Sequence, residues 1–424
     1  MSPRDVFGDT FRSLRIRNYR LFTTGQLVSI SGTWMQTMAL SWLVLKGLHG
    51  SGIALGIVTA LQFLPTALFG LWGGLIADRL DKRLVLIVTQ AALALFAIAL
   101  GVLTLAGSIQ LWMVCVLAFL SGCATAIDTP VRQAFVIEMV GPGPEVANAV
   151  GLNSAVFNTA RIIGPALAGI VIVSLGTGAA FLLNGASYFA SIGALLLMDQ
   201  RALHLTEKLE RARGQVREGL RYVWRVPEMR RAILLMLVVA TVGMNFSVTV
   251  PLIATSTFHR DAGGLSVLMS IMALGALVGA LATARRARPT PRLLVATAAL
   301  FGVSATLTSL APNVWLVAPM LALTGGAGMA FISTTNSTLQ LLSPAALRGR
   351  VMAIYALVFL GSTPVGAPLV GWISQQWNAR AGVAFGGVVS LIAAGVAWLT
   401  RPAPAGRHVI DLDEHEREAA SSTA

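Results

Sequence analysis

The sequence predicts an all-α integral membrane protein of about twelve helices, and three observations carry that reading. Of its residues 55% are hydrophobic and only 12% charged, against roughly 25% charged in a soluble domain. Long apolar runs recur along the whole chain, near the ~20 residues that one bilayer crossing requires. Lysine and arginine alternate between the loops instead of gathering on one face.

The runs fall near residues 19–48, 51–77, 84–107, 110–130, 147–175, 178–198, 230–253, 263–284, 292–311, 313–341, 351–376 and 380–400, numbered spans 1 to 12 below. The first is too long for a signal-peptide core and lacks a small-residue cleavage site, so it counts as a span. Connections are short except between spans 6 and 7. There a charged stretch of about thirty residues is expected to form amphipathic helices on the membrane surface, with Pro227 closing the last of them. The resulting division is a six-helix bundle over 1–198, a cytoplasmic linker over 199–229, a second six-helix bundle over 230–400, and a polar, disordered cytoplasmic tail over 401–424.

The net charge of +13 invites a nucleic-acid reading, but the distribution argues for topology instead. Cations crowd the N-terminal segment, the loops after spans 2, 4, 6, 8 and 10, and the tail, whereas the other loops hold only Lys46, Arg260 and Arg380. By the positive-inside rule both termini lie in the cytoplasm, and the chain is a multi-pass protein of the inner (plasma) membrane. Cys115 and Cys123 share one apolar run with no metal spacing, and the five histidines fall in loops or the tail. No metal site and no cofactor is expected.

The chain also repeats itself. Gly164 and Gly169 of span 5 lie 202 residues before Gly366 and Gly371 of span 11, and Gly74 of span 2 lies 205 before Gly279 of span 8. Two halves in the same orientation form a parallel repeat, whose substrate site is expected between them near mid-membrane.

Span 2 closes on Gly74-Leu75-Ile76-Ala77-Asp78-Arg79-Leu80-Asp81-Lys82-Arg83. This resembles the signature motif A of the major facilitator superfamily, with Asp81 in place of the second glycine. The resemblance implies a conformational latch made by Gly74, Asp78, Arg79 and Arg83. The matching position of the second half is Thr283, so the latch is single. Span 5 carries Gly151, Gly164, Pro165 and Gly169 in a pattern similar to the antiporter motif C, with Ala160 and Ala168 replacing two glycines. Plain helix packing is the competing reading of this pattern.

Further stretches narrow the branch: Phe11-Arg12-Ser13-Leu14-Arg15, Ser31-Gly32-Thr33-Trp34-Met35-Gln36, Asp128-Thr129-Pro130-Val131-Arg132-Gln133-Ala134 and Arg348-Gly349-Arg350-Val351-Met352. They resemble the enterobactin-exporter and macrolide-efflux branch of that superfamily, the transmembrane secretion effectors. The resemblance implies a major facilitator fold of 12 transmembrane helices in two pseudo-symmetric bundles.

On the residues themselves, Arg161 stands deep in span 5, where a charge costs ~2.5–3.5 kcal/mol, so it faces the protein interior. Ser154, Asn158, Arg161 and Pro165 share one helix face, either as a site for an anionic or polar group or as structural pairing. Asp128, with Arg132 one turn on, is either a proton carrier or half of an i, i+4 ion pair. The absence of acids from spans 1 and 7 counts against proton coupling. Gln26, Ser29, Thr33 and Gln36 on span 1, and Thr324, Gly328, Thr335 and Thr338 on span 10, form polar stripes, joined by Gln62 and Asn245. These line a path or simply hydrogen-bond between helices. Trp34, Phe63, Phe246 and Phe331 are either walls for an amphipathic substrate or packing.

No paired carboxylates, Ser/His set or phosphate-binding loop is present, so an enzyme and an ATP-driven pump are both disfavoured. The leading expectation is a monomeric secondary transporter that exports small amphipathic molecules of drug or siderophore type by alternating access, as a proton antiporter. The alternative is uptake or flipping of a metabolite or lysophospholipid. The partners expected are a small-molecule substrate, the lipid bilayer and protons, with no nucleic acid.

Overall fold

A computed structural model describes residues 11–143, 145–204, 215–284 and 290–400, the side chains of 71–79, 215–217 and 345–346 excepted. Among the described residues there is no strand, and the helices follow the sequence runs. Span 1 is Arg17–Trp42, continued by a wider turn to Gly47; spans 2 to 6 are Gly52–Arg79, Lys82–Leu105, Leu111–Val140, Glu145–Leu175 and Thr177–Leu196. Span 7 comes in pieces between Pro227 and Thr257; spans 8 to 10 are Ala262–Ala284, Pro291–Leu310 and Val314–Leu342. Span 11 is Ala345–Gly361 followed by Thr363–Gln376, and span 12 is Ala379–Leu399.

Among the described residues eleven of these helices are long and apolar enough to cross a membrane by composition alone. The remaining one, span 1, matches them in length but carries Gln26, Ser29, Ser31 and Ser41, all buried in protein. Its polarity is tolerated because Gln26, Ser29 and Ser41 find partners on neighbouring helices and Ser31 bonds the carbonyl of Leu27 one turn back.

Three departures from the sequence reading have local causes. Span 4 does not stop near Pro130 but continues to Val140. Arg132 is not a loop residue, because its charge is met within the same helix by Asp128. Span 7 is interrupted at Met244 and Asn245, between a wide turn, Val239–Gly243, and the helix Phe246–Leu252. Span 11 breaks at Ser362, just before Pro364, whose missing N–H suits the first turn of a new helix.

The linker contains a helix, Gln215–Arg225, whose buried Val223 faces the second bundle and whose Glu218 pairs with Arg350 at 2.5 Å. That helix ends at Arg225, just ahead of Pro227, which takes the first position of span 7. Residues 205–214 of the linker and the tail lie outside the described residues.

The glycine repeat has a structural meaning. Gly164 abuts Trp34 and the carbonyl of Ser31 on span 1, and its counterpart Gly366 abuts the carbonyl of Thr241 on span 7. Each seats its helix against the first helix of its own bundle. Gly169 touches Ser266 of span 8, and Gly371 touches Gly52 of span 2. These two close the seam between the halves.

The hydrophobic core is divided accordingly. Towards the ends where spans 1 and 2 and spans 7 and 8 connect, one core runs through both halves, from Met38 and Leu55 to Leu252 and Leu268. Towards the opposite ends, which carry the basic loops, the halves have separate cores: Tyr19, Phe135 and Met139 in the first, Met229, Phe331 and Leu339 in the second. The halves thus share one core at the far face and have separate cores towards the basic face.

Candidate functional site

The seam between the halves is built from span 5 against span 8 and span 2 against span 11. Ser266 Oγ donates to the carbonyl of Pro165 at 2.7 Å, and Ser270 Oγ donates to the carbonyl of Ile162 at 3.4 Å. On the other side Ile53 N donates to Gln375 Oε1 at 3.3 Å. Small residues and hydroxyls let the backbones approach closely.

Arg161 sits beside this seam. It is sixteen residues into Glu145–Leu175, about 24 Å along the helix at 1.5 Å per residue, and so deep in the bilayer. Ile163, Leu167, Ile170 and Val173 of the same helix are exposed and form its lipid face. Ser154, Asn158, Arg161 and Pro165 occupy the opposite face, Ser154 exposed, Asn158 and Arg161 partly exposed and Pro165 buried. The guanidinium carbon lies 5.4 Å from the ring centroid of Trp34, and Trp34 meets Phe157 edge to face at 5.9 Å. Among the described residues Arg161 has no ion pair and no side-chain hydrogen bond. A cation–π contact returns ~0.5–2 kcal/mol, less than the ~2.5–3.5 kcal/mol that a charge costs at this depth. The charge is therefore left partly unmet by the protein.

Asp128 is the reverse case. It is 1% exposed, and its Oδ1 accepts from Thr89 Oγ1 at 2.9 Å and Gln90 Nε2 at 2.8 Å. Its Oδ2 pairs with Arg132, which also donates to Gln26 Oε1. Gln26 Nε2 in turn donates to Ser191 Oγ at 3.0 Å, and Ser29 Oγ to Gln90 Oε1 at 3.3 Å. Spans 1, 3, 4 and 6 are tied together by this one network. A buried ion pair is held against its desolvation only when the remaining donors and acceptors are satisfied, which is largely so here. Arg132 Nε alone lacks a partner.

The other expected site residues scatter. Thr33 is exposed on span 1, its hydroxyl 3.1 Å from that of Tyr188. Gln36 is held by Asn184 Nδ2 at 2.6 Å. Gln62 is partly exposed, and its carbonyl abuts Gly122 of span 4. Asn245 stands at the break in span 7, its Nδ2 donating to the carbonyl of Thr241 at 2.7 Å while its buried Oδ1 has no partner. The span 10 stripe turns inward: Thr335 is fully buried and donates to the carbonyl of Phe331 at 2.8 Å, and Thr324 and Thr338 likewise bond within their own helix. Phe331 is core. Gly151 meets nothing within 4 Å.

Of the motif A residues, the side chains of Gly74, Asp78 and Arg79 lie outside the described residues. Arg83 donates through Nε to the carbonyl of Leu195 at 2.7 Å, capping the C-terminal end of span 6 where a cation is favoured. The departure Asp81 caps the next helix, its Oδ1 accepting from Leu84 N at 3.0 Å. One residue escaped the sequence reading: Glu138, paired with Lys82 at 2.6 Å with both side chains largely buried. The apolar run Ala134-Phe135-Val136-Ile137 beyond Arg132 was its signal.

The chain resembles known transporters along most of its length. The multidrug efflux pump Tap of Mycolicibacterium fortuitum is 28% identical over 81% of this chain and 86% of its own. The staphyloferrin A transporter of Staphylococcus aureus is 26% identical over 62% of this chain and 66% of its own. Macrolide efflux protein A of Streptococcus pyogenes is 24% identical over 72% and 76%. Among solved structures, a bacterial homolog of the human lysosomal transporter Spinster superposes with a TM-score of 0.73, covering 92% of this chain and 99% of that one at 14% identity, which speaks for the fold. The family model described as transmembrane secretion effector matches residues 9–419, and the chain is a member of that family of major facilitator transporters.

Proposed function

We propose that this transporter exports small amphipathic molecules, of drug or siderophore kind, by alternating access and in exchange for protons. In this reading it sits in the inner (plasma) membrane with both termini in the cytoplasm. The observation that carries the proposal is the asymmetry of the seam. Two helix pairs built on Gly169, Ser266, Gly52 and Gly371 seal the far face, while the cores separate towards the basic loops. With those loops in the cytoplasm, we read the gap between the separate cores as a cleft open to the side from which an exporter loads. The names of the efflux relatives support the direction. Asp128 is the candidate for the coupling proton, being buried at mid-span; its protonation would release Arg132 and loosen the network that joins four spans.

The test is counterflow in oriented vesicles with an imposed pH gradient, using a drug that the producing cells resist. Efflux should follow the gradient and vanish when an ionophore collapses it. Drug movement indifferent to the gradient would sink the antiport claim while leaving the transporter fold intact. Uptake or flipping of a lysophospholipid is the second reading, favoured by one observation, the unpaired Arg161 in the cleft wall. Inward movement of a labelled lysophospholipid in the same vesicles would support it.

A further inference from the structure

We infer that Arg161, Trp34 and Phe157 form an anion-recognising station in the cleft, and that the transported molecules are amphipaths with an anionic group beside an aromatic or apolar body. This deepens the export reading and relies on it only for the direction of traffic.

The geometry has three parts. Among the described residues no carboxylate answers the charge: Asp128, the mid-span acid, is taken by Arg132. The donors of Arg161 have no acceptor among the described residues, so a fork of N–H groups is free for a carboxylate or phosphate. Trp34 holds the guanidinium from one side, 5.4 Å from its ring centroid, and meets Phe157, which is 46% exposed, at 5.9 Å in a T-shaped contact. A ligand ring placed against Phe157 would bring an attached anion within reach of the fork.

The position of Arg161 on its helix adds a consequence. The carbonyls of Ile162 and Pro165, its neighbours in the chain, are the ones that accept hydrogen bonds from span 8. Pro165 also lacks the N–H that would bond the carbonyl of Arg161. An anion on the guanidinium therefore acts directly beside the seam that must part for release. Neutralising the charge makes it less costly to move Arg161 through the low-dielectric part of the path.

The proposal is tested by binding to the full chain in nanodiscs of zwitterionic lipid, using three probes with one ring system: 2-naphthoate, 2-naphthyl phosphate and 2-naphthylmethylammonium. The two anions should bind about tenfold tighter than the ammonium, the size of one charge-assisted hydrogen bond. Arg161→Gln should erase that preference, Arg161→Lys should keep part of it, and Phe157→Leu should weaken all three probes alike. Equal binding of anion and ammonium to the unmodified protein would overturn the proposal without any variant. So would unchanged 2-naphthoate affinity in an Arg161→Gln protein that melts as the parent does. Displacement of 2-naphthoate by lysophosphatidate assigns the anion to lipids, and displacement by 2-naphthyl phosphate alone assigns it to soluble compounds; both support the station. Anion binding that persists with no gradient-driven efflux would defeat the export reading and leave the station standing.

Discussion

Ser266 Oγ donates a 2.7 Å hydrogen bond to the carbonyl oxygen of Pro165, across the seam between the two halves. The side chain that makes this bond fills the space a Cβ on Gly169 would need. Hydrogen bonding and close packing thus meet at one point, and the sequence repeat places a second such point at Gly371 against Gly52. Both contacts sit within the apolar core that the halves share at this face, from Met38 and Leu55 to Leu252 and Leu268, so parting them opens that core as well.

Filling that seam should push the halves apart at the far face. Overpacking costs about 1–3 kcal/mol, and 1.4 kcal/mol shifts a two-state population about tenfold. Gly371→Leu is therefore expected to raise the labelling rate of a cysteine at Ser266→Cys, probed from the far side with an impermeant maleimide, several-fold over the Ser266→Cys parent. A labelling rate unmoved by the leucine would mean that the seam at Gly371 does not govern access.

Asp128 and Arg132 should behave as a unit. Removing one partner of a buried pair costs about 3–5 kcal/mol, because the other charge is left behind. Asp128→Ala should lower the melting temperature of the purified protein markedly, and the double variant Asp128→Asn, Arg132→Gln should recover most of the loss. The double variant also separates the structural role from coupling: a stable protein that no longer responds to a pH gradient assigns the proton to this pair, whereas gradient-driven efflux that persists removes Asp128 from the coupling step.

Two of the ion pairs on the basic face should differ in strength by their burial. Lys82 and Glu138 have side-chain exposures of 12% and 6%, whereas Arg350 and Glu218 stand at 26% and 59%. Glu138→Gln is expected to destabilise by about 3 kcal/mol, as for a broken buried pair. Glu218→Gln is expected to change stability by less than about 1 kcal/mol, an effect that fades as salt is added. Thermal melts at low and high ionic strength, in which Glu218→Gln proved as damaging as Glu138→Gln, would contradict this ranking.

The membrane class, the order of spans and the role of the repeated glycines were legible in the sequence, because each follows from apolar length or from a steric demand that only glycine meets. Depth along a helix was legible too, which is why Arg161 stood out. What a helical stripe could not reveal was the neighbour it faces. Thr324, Thr335 and Thr338 of span 10 recur at helical spacing as cavity residues would, yet each hydroxyl bonds the carbonyl one turn back, Thr324 also meets Thr308 of span 9, and Thr335 ends fully buried. Gln36 is likewise claimed by Asn184, far along the chain. The end of span 4 was misplaced because a proline and an arginine read locally as a loop, while the pairing that keeps the helix going is visible only once Asp128 and Arg132 are set on the same face.

The packing of spans 8 and 10 makes the sharpest stability prediction. Gly275 and Gly279 lie one turn apart on span 8, and a Cβ on either would strike the backbone of span 10, at the carbonyls of Ala322 and Gly326. Backbone cannot rotate away as a side chain can, so Gly275→Val should force the helices apart and cost about 3 kcal/mol or more, at or above the upper end of overpacking. Gly395 of span 12 has no heavy atom within 4 Å of such a Cβ. There Gly395→Ala should be neutral or stabilise by up to about 1 kcal/mol through helix propensity. Melting the two variants side by side separates glycine kept for contact from glycine that is merely tolerated, and a Gly275→Val protein as stable as Gly395→Ala would show that spans 8 and 10 do not pack backbone to backbone.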